Sequence, residues 1–407
     1  MEEARLQNYA ALIARKGVNV QPGQEVVIQA ELDQPHFVEL LVEACYRAGA
    51  RKVVVNWNLE TLDRLHVQYC DARTLGQVEA WEQARLQHYV DTLPARIYLL
   101  SEDPDGLRGI DTAKYARAMQ ARRAAMKPYR DQMENRYQWC IAAVPGLAWA
   151  RKLFPALPDV GAVEALWQAI LDASRVTDDP IAAWDAHNAE LSRRCARLNA
   201  LQIRELHYRS GNGTDLRVGM IPQAEFKGGC DADRSGVLFN ANIPSEECYI
   251  SPRKGEAEGI VYSAMPLAYQ GQLIDKFWLR FSGGKVVELG AEQNEELLRS
   301  LVSADENACY LGECALVPYD SPIRNTGILF YNTLFDENAA CHLALGAGYA
   351  DTIRNYTAYT LEECRAMGIN DSSIHEDFMI GTEDLDIDAH TADGATVPIF
   401  RHGNWAF

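Results

Sequence analysis

The segment EVVIQA (25–30) is the first of four short apolar runs that decide the fold of the N-terminal half. Three similar runs follow along the chain: RKVVVNW (51–57), RIYLLS (96–101) and QWCIAAVP (138–145). Each run has the length of a strand, and segments of helical periodicity lie between them. Apolar strands that alternate with helices are typical of a parallel sheet covered by helices. The sequence therefore predicts an α/β domain with a parallel sheet.

The turns of this half carry no glycine-rich phosphate-binding motif. Neither Gly-x-Gly-x-x-Gly nor Gly-x-x-x-x-Gly-Lys-Ser/Thr follows any of the four runs, and the first turn, AELDQPHF (30–37), is acidic. Phosphate binds to backbone N–H groups in glycine-rich turns, and carboxylates oppose it. We therefore predict that this domain does not bind a nucleotide and that it shapes access to a site elsewhere.

The pattern changes near residue 198. After it, IRELHYRSGNGTDLRVGM (203–220) has alternating strands on either side of Gly-Asn-Gly, and KFWLRFSGGKVVELG (276–290) repeats this arrangement around Gly-Gly. Such pairs are typical of β-hairpins. We predict an N-terminal α/β domain over residues 1–198, with a helical connector at about 160–198. Residues 199–407 are predicted to form a C-terminal, mostly antiparallel β catalytic domain with a few helices.

Composition limits the classes of partner. The chain has 407 residues, 39 of them basic and 57 acidic, which gives a formal net charge of −18. Its length favours two domains, and its 48% hydrophobic residues are ordinary for a globular protein. A surface this acidic repels phosphate backbones and anionic membranes, so we expect neither nucleic acid nor a membrane as a partner.

The N-terminus and the cysteines favour the cytoplasm. MEEARLQNYAALIARKGVNV (1–20) lacks the basic region and apolar core of a signal peptide, and no apolar run approaches the length of a membrane span. The ten cysteines contain no Cys-x-x-Cys pair, and Cys45, Cys140 and Cys341 lie in apolar contexts. This pattern indicates buried thiols in a reducing compartment.

Two segments of the second half place carboxylates beside apolar residues. In FNANIPSEECYISP (239–252), Glu246 and Glu247 are adjacent, so on an extended chain they face opposite ways and only one can enter a given site. Glu313 lies inside the apolar run LGECALV (311–317), where a carboxylate is rarely buried unless it is paired or bound to a metal. The plainer alternatives are a solvated acidic turn for the first and an ion pair with Arg324 for Glu313.

Two further segments contribute histidines. His342 begins HLALGAGY (342–349), which ends at Tyr349, and HEDFMIG (375–381) holds His375 and Asp377. On an extended strand His375 and Asp377 leave the same face, because side chains alternate. Taken singly, these histidines also fit a core histidine and a polar turn.

Five of these residues form an oxygen-rich set with two imidazoles, which suits one or two divalent metal ions. They are Glu247, Glu313, His342, His375 and Asp377. Three carboxylates carry three negative charges. One dication would leave a net negative charge buried, whereas two dications and a hydroxide balance it. The composition of the set therefore favours two metals and, with them, hydrolysis.

At these positions the chain resembles the M29 family of metalloaminopeptidases. The motifs that carry the resemblance are spread over the second half: NIPSEECYISP (242–252), LGECALVP (311–318), HLALGAGY, HEDFMIG and LDIDAHTADGATVPIFRHGNWAF (385–407). The likeness extends over essentially the whole chain. It implies cleavage of N-terminal residues from peptides by a site with two divalent metal ions (zinc, cobalt or magnesium), in a homodimer whose domains enclose a cavity.

The resemblance also implies roles for individual residues. The ligands would be Glu247, Glu313, His342, His375 and Asp377, and Tyr349 takes the position of a site tyrosine. Glu246 remains a rival to Glu247, because the choice rests on the spacing to Glu313. Beyond the resemblance, our hypothesis is that the two metals share Glu313 and that Tyr349 donates a hydrogen bond to the developing oxyanion, with Glu246 and Glu247 as candidates for a general base. Glu376 and Cys248 depart from the family pattern, and we expect neither to affect the site.

Two other functions remain open at this point. His342, His375 and Asp377 alone would suit a mononuclear non-haem iron dioxygenase that cleaves rings, which uses two histidines and one carboxylate. The chain would alternatively be a non-catalytic protein that binds peptides or metal.

Overall fold

The structure, a computed structural model, describes residues 2–407, which form two compact units. The first unit runs to Ala186 and also includes Cys230–Pro244, while the second comprises His187–Gly229 and Ser245–Phe407. We predicted one boundary, near residue 198. The helix that contains this residue, Pro180–Ala200, begins in the first unit and ends in the second.

A four-stranded parallel sheet forms the centre of the first unit, in the order β2-β1-β3-β4. Its strands match the four apolar runs, so this prediction is confirmed: β1 (Glu25–Glu31), β2 (Lys52–Asn58), β3 (Ala95–Leu100) and β4 (Trp139–Ala143). Helices alternate with these strands: α1 (Glu3–Leu12, continued by a π-helical turn over Ile13–Gly17), α2 (Pro35–Arg47), α3 (Glu60–Tyr69), α4 (Ala72–Gly76), α5 (Ala80–Thr92), α6 (Thr112–Met133), α7 (Leu147–Leu153), α8 (Asp159–Ala173) and α9 (Pro180–Ala200).

An aromatic cluster joins the helices of the first unit to its sheet. The ring centroids of Tyr9 and Phe37 are 5.3 Å apart, and those of Phe37 and Trp167 are also 5.3 Å apart. The Tyr9 hydroxyl donates to the carbonyl of Ala143 at the end of β4, at 3.1 Å. The apolar faces of α1, α2 and α8 are thereby buried together, which is the main source of stability for such a layer.

The second unit contains three antiparallel sheets. Its strands are β5 (Ile203–Arg209), β6 (Asp215–Met220), β9 (Cys248–Ile250), β10 (Pro252–Tyr262), β11 (Leu267–Tyr269), β12 (Gln272–Ile274), β13 (Trp278–Ser282), β14 (Lys285–Gly290), β15 (Leu311–Leu316), β16 (His342–Gly346), β17 (His375–Met379), β18 (Asp386–Thr391), β19 (Thr396–Arg401) and β20 (Asn404–Trp405). One sheet has eight strands in the order β14-β13-β10-β6-β5-β18-β19-β20, one has four in the order β17-β16-β15-β9, and the third pairs β11 with β12. The predicted hairpins at Gly-Asn-Gly and Gly-Gly are confirmed as β5–β6 and β13–β14. The helices that follow α9 are α10 (Glu295–Val302), α11 (Thr333–Asp336) and α12 (Leu361–Met367), and the first unit also contains the short strands β7 (Asp231–Ala232) and β8 (Leu238–Phe239).

One face of the antiparallel four-stranded sheet is buried in the core of the second unit. Cys314, Leu343 and Phe378 lie on neighbouring strands of this face and are at most 1% exposed. The Phe378 ring packs on Phe277, with centroids 5.8 Å apart. Because side chains alternate along a strand, the residues between these apolar ones point to the opposite face. That face carries the candidate site.

The loop after α10 fixes the segment that leads into β17. Asp305 Oδ2 accepts hydrogen bonds from the backbone N–H and the hydroxyl of Ser373, both at 2.6 Å, and from the Ser372 hydroxyl at 2.8 Å. Burial on its own would raise the pKa of Asp305, but these hydrogen bonds outweigh it and lower the pKa to about 2. The ionised carboxylate is therefore the form that holds this loop.

We expect Asp305→Asn to lower the free energy of unfolding by about 1–2 kcal/mol at pH 7, because the loop loses a charged acceptor. The folded-state pKa lies below that of an unfolded aspartate, so this contribution is complete above about pH 4 and is lost as the pH falls towards 2. Urea unfolding of both proteins, from pH 7 to the lowest pH at which the wild type stays folded, should give converging stabilities. A difference that stays constant with pH would contradict this explanation.

Candidate metal centre

The structure brings the five predicted residues together on one face of the antiparallel four-stranded sheet, opposite to the face of Cys314, Leu343 and Phe378. Glu313 lies on β15 opposite Ala344 of β16, which in turn lies opposite Asp377 of β17. Residues directly opposite on antiparallel strands share a face. His342 and His375 are two residues from Ala344 and Asp377 on the same strands, so they share this face as well.

The candidate ligands form two groups that have Glu313 in common. Glu247, Glu313 and His342 form one group, in which the ligand atoms all lie within 4.8 Å of one another. Glu313, His375 and Asp377 form the other, within the same limit. His342 Nε2 is 3.2 Å from Glu247 Oε2, and His375 Nε2 is 3.1 Å from Glu313 Oε2. This arrangement offers two adjacent positions for cations.

Both imidazoles are oriented by backbone carbonyls. His342 Nδ1 lies 3.1 Å from the carbonyl oxygen of Ala340, and His375 Nδ1 lies 2.7 Å from that of Ala347. A carbonyl oxygen only accepts, so each Nδ1 carries the hydrogen and each Nε2 is directed at the carboxylates. Such orientation by an outer partner is typical of metal-binding histidines.

Small residues leave space between the candidate ligands. Ala315, Ala344 and Gly346 lie on the same face as the carboxylates. Gly346 is opposite His375 and has φ of +100°, and a Cβ there would overlap the carbonyl oxygen of Ile374. Glycine is therefore required at this position both by backbone conformation and by the close approach of the next segment.

Burial and mutual repulsion perturb the carboxyl groups of the site. Glu313 is 4% exposed and Asp377 is 7% exposed. Burial, reinforced by the neighbouring carboxylates, raises the pKa of Glu313 to about 7 against the opposing effect of His375. Burial also acts to raise the pKa of Asp377, but His375 holds it below its usual value.

The imidazoles act as the counter-charges of these carboxylates. Burial alone would lower the pKa of His342, but Glu247 raises it to about 10. Likewise burial would lower the pKa of His375, and Asp377 and Glu313 raise it well above its usual value. A site that attracts protons this strongly also attracts divalent cations, and binding a metal to a histidine releases its proton.

A sixth residue, Glu337, was missed by the sequence analysis. It lies in a 3-10 turn, Glu337–Ala339, within hydrogen-bonding reach of Asp377. Burial raises the pKa of Glu337 well above its usual value, and Asp377 and Glu247 raise it further. In the sequence, Asp336-Glu337-Asn338 has the composition of a solvated turn, and its closeness to His342 is the one feature that points to the site.

The adjacent glutamates point to different partners, as expected from alternation. Glu247 Oε2 lies 3.2 Å from His342 Nε2 and belongs to the cluster. Glu246 is instead 4.0 Å from His187 Nε2. The geometry therefore favours Glu247 over Glu246 as the residue that faces the site.

Tyr349 lies at the edge of the site and is 41% exposed. Its hydroxyl is 3.1 Å from His375 Nε2, and its ring centroid is 4.8 Å from that of His375. The Tyr349 hydroxyl accepts from Nε2 when the His375 imidazole is protonated and donates to Nε2 when the imidazole is neutral. The segment is held by Ser251, whose hydroxyl accepts from the Tyr349 N–H at 2.8 Å.

Three residues considered in the sequence analysis lie apart from the site. The Arg324 guanidinium donates to the hydroxyl of Tyr319 at 3.1 Å, and Glu313 has His375 as its partner. Glu376 is opposite Leu345, on the face turned away from the cluster, and burial raises its pKa to about 8. Cys248 is fully buried and, like the other cysteines of residues 2–407, has a free thiol.

The residues of this face fit divalent metal ions. Asp377 Oδ1 is buried and accepts no hydrogen bond; the Nε2 atoms of His375 and His342 are 3.5 Å and 3.9 Å away. A buried carboxylate oxygen without a donor is unfavourable unless a cation binds it. Oxygen and imidazole donors without thiolates are the set preferred by metals that catalyse hydrolysis.

Fold and candidate ligands together point to a metalloenzyme. A sequence profile described as "Thermophilic metalloprotease (M29)" matches residues 2–405. The chain belongs to the M29 family of metalloproteases and is a peptidase, which confirms the predicted family and the predicted class of enzyme.

Three proteins named as aminopeptidases are similar to this chain over nearly its full length. Aminopeptidase AmpS of Bacillus subtilis (strain 168) is 40% identical over 99% of this chain and 98% of its own length. Aminopeptidase T of Thermus aquaticus is 40% identical over 98% of each chain. The structure is similar to that of wild-type AmpT from Thermus thermophilus, with a TM-score of 0.91, 38% identity and 99% of each chain covered. The mixed fold with one parallel and further antiparallel sheets is shared with that structure.

A more distant likeness concerns the fold alone. The structure of 2,5-dihydroxypyridine dioxygenase from Pseudomonas putida KT2440 has a TM-score of 0.52 and 12% identity, over 99% of this chain and 96% of that chain.

Within residues 2–407 none of the helices has the length and apolar character needed to cross a membrane.

We expect removal of metal to lower the thermal unfolding midpoint, because an ion that binds only the folded state stabilises it by RT ln(1 + [M]/Kd), about 2.7 kcal/mol at one hundred times Kd. The midpoint should fall after dialysis against EDTA and recover on addition of Zn²⁺ or Co²⁺. Asp377→Asn should reduce this recovery, whereas Glu376→Gln, on the opposite face of the same strand, should retain it. Equal recovery in both variants would argue against a site at these residues.

Proposed function

We propose that this protein is an aminopeptidase that removes N-terminal residues from peptides at a site for two divalent metal ions, zinc, cobalt or magnesium. The observation that carries this proposal is that Glu313 belongs to both groups of candidate ligands. A carboxylate has two oxygens and can serve two cations at once. The names of the relatives, aminopeptidases AmpS and T, support the reaction.

The ligands would be the five residues of the sequence analysis, and Glu337 would add a further acidic group beside Asp377. Glu247 and His342 would hold one ion, His375 and Asp377 the other, and Glu313 both. With Glu337 the site contains four carboxylates, and two dications balance four negative charges. This count supports two ions over one, because an unbalanced buried charge is strongly unfavourable.

When bound, two divalent ions would supply the two requirements of peptide hydrolysis, a water molecule of lowered pKa and a polarised carbonyl oxygen. The protein supplies the geometry: carbonyl-anchored imidazoles fix the two nitrogen donors. The small residues Ala315, Ala344 and Gly346 share the face of the sheet that carries the ligands. The free α-amine of a peptide would bind a metal or an acidic side chain of the site, which would restrict cleavage to the N-terminus.

Two residues would act on protons or charge in the reaction. Tyr349 is exposed to the site, and its hydroxyl would donate to the oxyanion that develops on the peptide carbonyl. Glu247 would serve as ligand and as acceptor of the proton released by the attacking water. Glu246 is a weaker candidate for this base, since its nearest imidazole is that of His187, outside the cluster.

The mononuclear dioxygenase is the less favoured candidate. Glu313 is 3.1 Å from His375 and Glu247 is 3.2 Å from His342, so both imidazoles carry an additional carboxylate beyond Asp377. A site with two histidines and one carboxylate needs open positions instead. Metal analysis separates the two functions: two ions per chain support the peptidase, and one iron with oxygen uptake supports the dioxygenase.

We also propose, from the family likeness, a cytoplasmic homodimer that acts on peptides. Light scattering coupled to size-exclusion chromatography tests the dimer, and a mass of one chain would contradict it.

We expect Asp377→Asn to lower kcat/KM on aminoacyl-nitroanilides by at least about 100-fold, because it removes a charged ligand from the site. The matched control is Glu376→Gln, which should stay within about twofold of the wild type. N-terminally acetylated substrates should resist cleavage by the wild type. Full activity of a folded Asp377→Asn variant would refute the assignment.

For Tyr349→Phe we expect kcat to fall by about 10–1000-fold with little change in KM, because the hydroxyl acts on charge that appears only in the transition state. Steady-state kinetics on the same substrates measure both constants. A rise in KM at constant kcat would instead assign Tyr349 to substrate binding.

A further inference from the structure

Asn338 is a completely buried amide between two parts of the candidate site. It follows Glu337 in the 3-10 turn, and its side chain contacts the segment that carries Glu247. The residue belongs to neither group of candidate ligands and offers no charge. Its contacts nevertheless connect carboxylates that are distant in sequence.

The Asn338 side chain both accepts and donates hydrogen bonds. Its Oδ1 accepts the backbone N–H of Glu246 at 2.7 Å. Its Nδ2 donates to the carbonyl oxygen of Leu334 at 2.9 Å and to Glu337 Oε1 at 3.3 Å. A backbone N–H only donates and a carbonyl only accepts, so these partners determine which end of the amide is which.

Neighbouring contacts hold the same two segments. The Ser321 hydroxyl donates to the backbone carbonyl of Asn338 at 3.0 Å. On the other side, His187 Nε2 donates to the carbonyl of Ser245 at 2.7 Å, next to Glu246. The amide of Asn338 is thus the link between a segment fixed by α9 and a turn fixed by the loop after β15.

We propose that Asn338 is a positioning residue that sets the separation of Glu247 and Glu337 and so tunes the affinity of the site for metal. Glu247 follows the residue whose N–H Asn338 accepts, and Glu337 receives a hydrogen bond from the same amide. Glu247 and Glu337 are both acidic, so they repel each other when ionised and need contacts that hold their segments in place. A neutral amide holds them in place without adding charge, which an aspartate or lysine there would not do.

This inference rests on the proposed function, because it takes Glu247 as a ligand and Glu337 as an acidic group of the same site. The probe is Co²⁺ alone, added to metal-free protein, with affinity from calorimetry and the visible absorption of bound Co²⁺ as readouts. We expect Asn338→Ala to weaken Co²⁺ binding by about 10–100-fold, as outer-partner substitutions do. Excess Co²⁺ should then restore most of kcat.

The matched control is Asn199→Ala. Asn199 forms the same kind of two-way clamp in the same unit, accepting the N–H of Phe226 at 2.7 Å and donating to its carbonyl at 3.0 Å. We expect this variant to lower the unfolding midpoint while its Co²⁺ affinity stays within twofold of the wild type. A purely structural role for Asn338 predicts the same behaviour for both variants, and that result would overturn the inference.

If Asn338→Ala does not fold, Asn338→Asp tests whether the Asn338 amide affects Co²⁺ affinity. Its carboxylate still accepts the N–H of Glu246 but no longer donates to Glu337, so we expect at least a tenfold loss of Co²⁺ affinity. Affinity within twofold of the wild type in this variant would overturn the inference while leaving the proposed function intact. A wild-type protein that binds no Co²⁺ would instead refute the proposed function itself.

Discussion

Electrostatic repulsion among carboxylates on one face of a small antiparallel sheet is the constraint on which the site depends. Glu247, Glu313, Glu337 and Asp377 are drawn together on β-structure and a short turn, and the imidazoles of His342 and His375 are their counter-charges. Burying such a cluster is unfavourable in isolation. The opposite face of the same sheet offsets this through Cys314, Leu343 and Phe378, which are buried in the core of the second unit.

The alternation of side chains along a strand explains why several of the candidate site residues can be identified from the sequence. His375 and Asp377 are two residues apart on one strand, so strand periodicity alone assigns them to one face. Glu313 was identified by a different local signal, a carboxylate inside an apolar run. The hairpins and the parallel strands followed from equally local signals, namely glycine-rich turns and short apolar runs. Sequence reasoning succeeded wherever one strand, with its fixed period of two, connected a residue to its surroundings.

Features that depend on tertiary contacts were not predictable in this way. Glu337 lies in a 3-10 turn, which has no periodicity to mark an inward side chain, and its partner Asp377 arrives from β17. Asn338 is equally silent in the sequence, since a buried amide and a solvated one look alike. The segment Cys230–Pro244 joins the first unit, but its strands β7 and β8 have two residues each and give no pattern to follow.

The order of the ligands along the chain has a consequence for biosynthesis. The group formed by Glu247, Glu313 and His342 is complete in sequence before the second group, which waits for His375 and Asp377 on the edge strand β17. A nascent chain emerging from the ribosome therefore presents a half-assembled site, and only the last strands close it. A chain that ends before β17 would lack both the His375 imidazole, which lies 3.1 Å from Glu313, and the Asp377 carboxylate, so Glu313 would have no counter-charge from that strand and the second group of ligands would be missing.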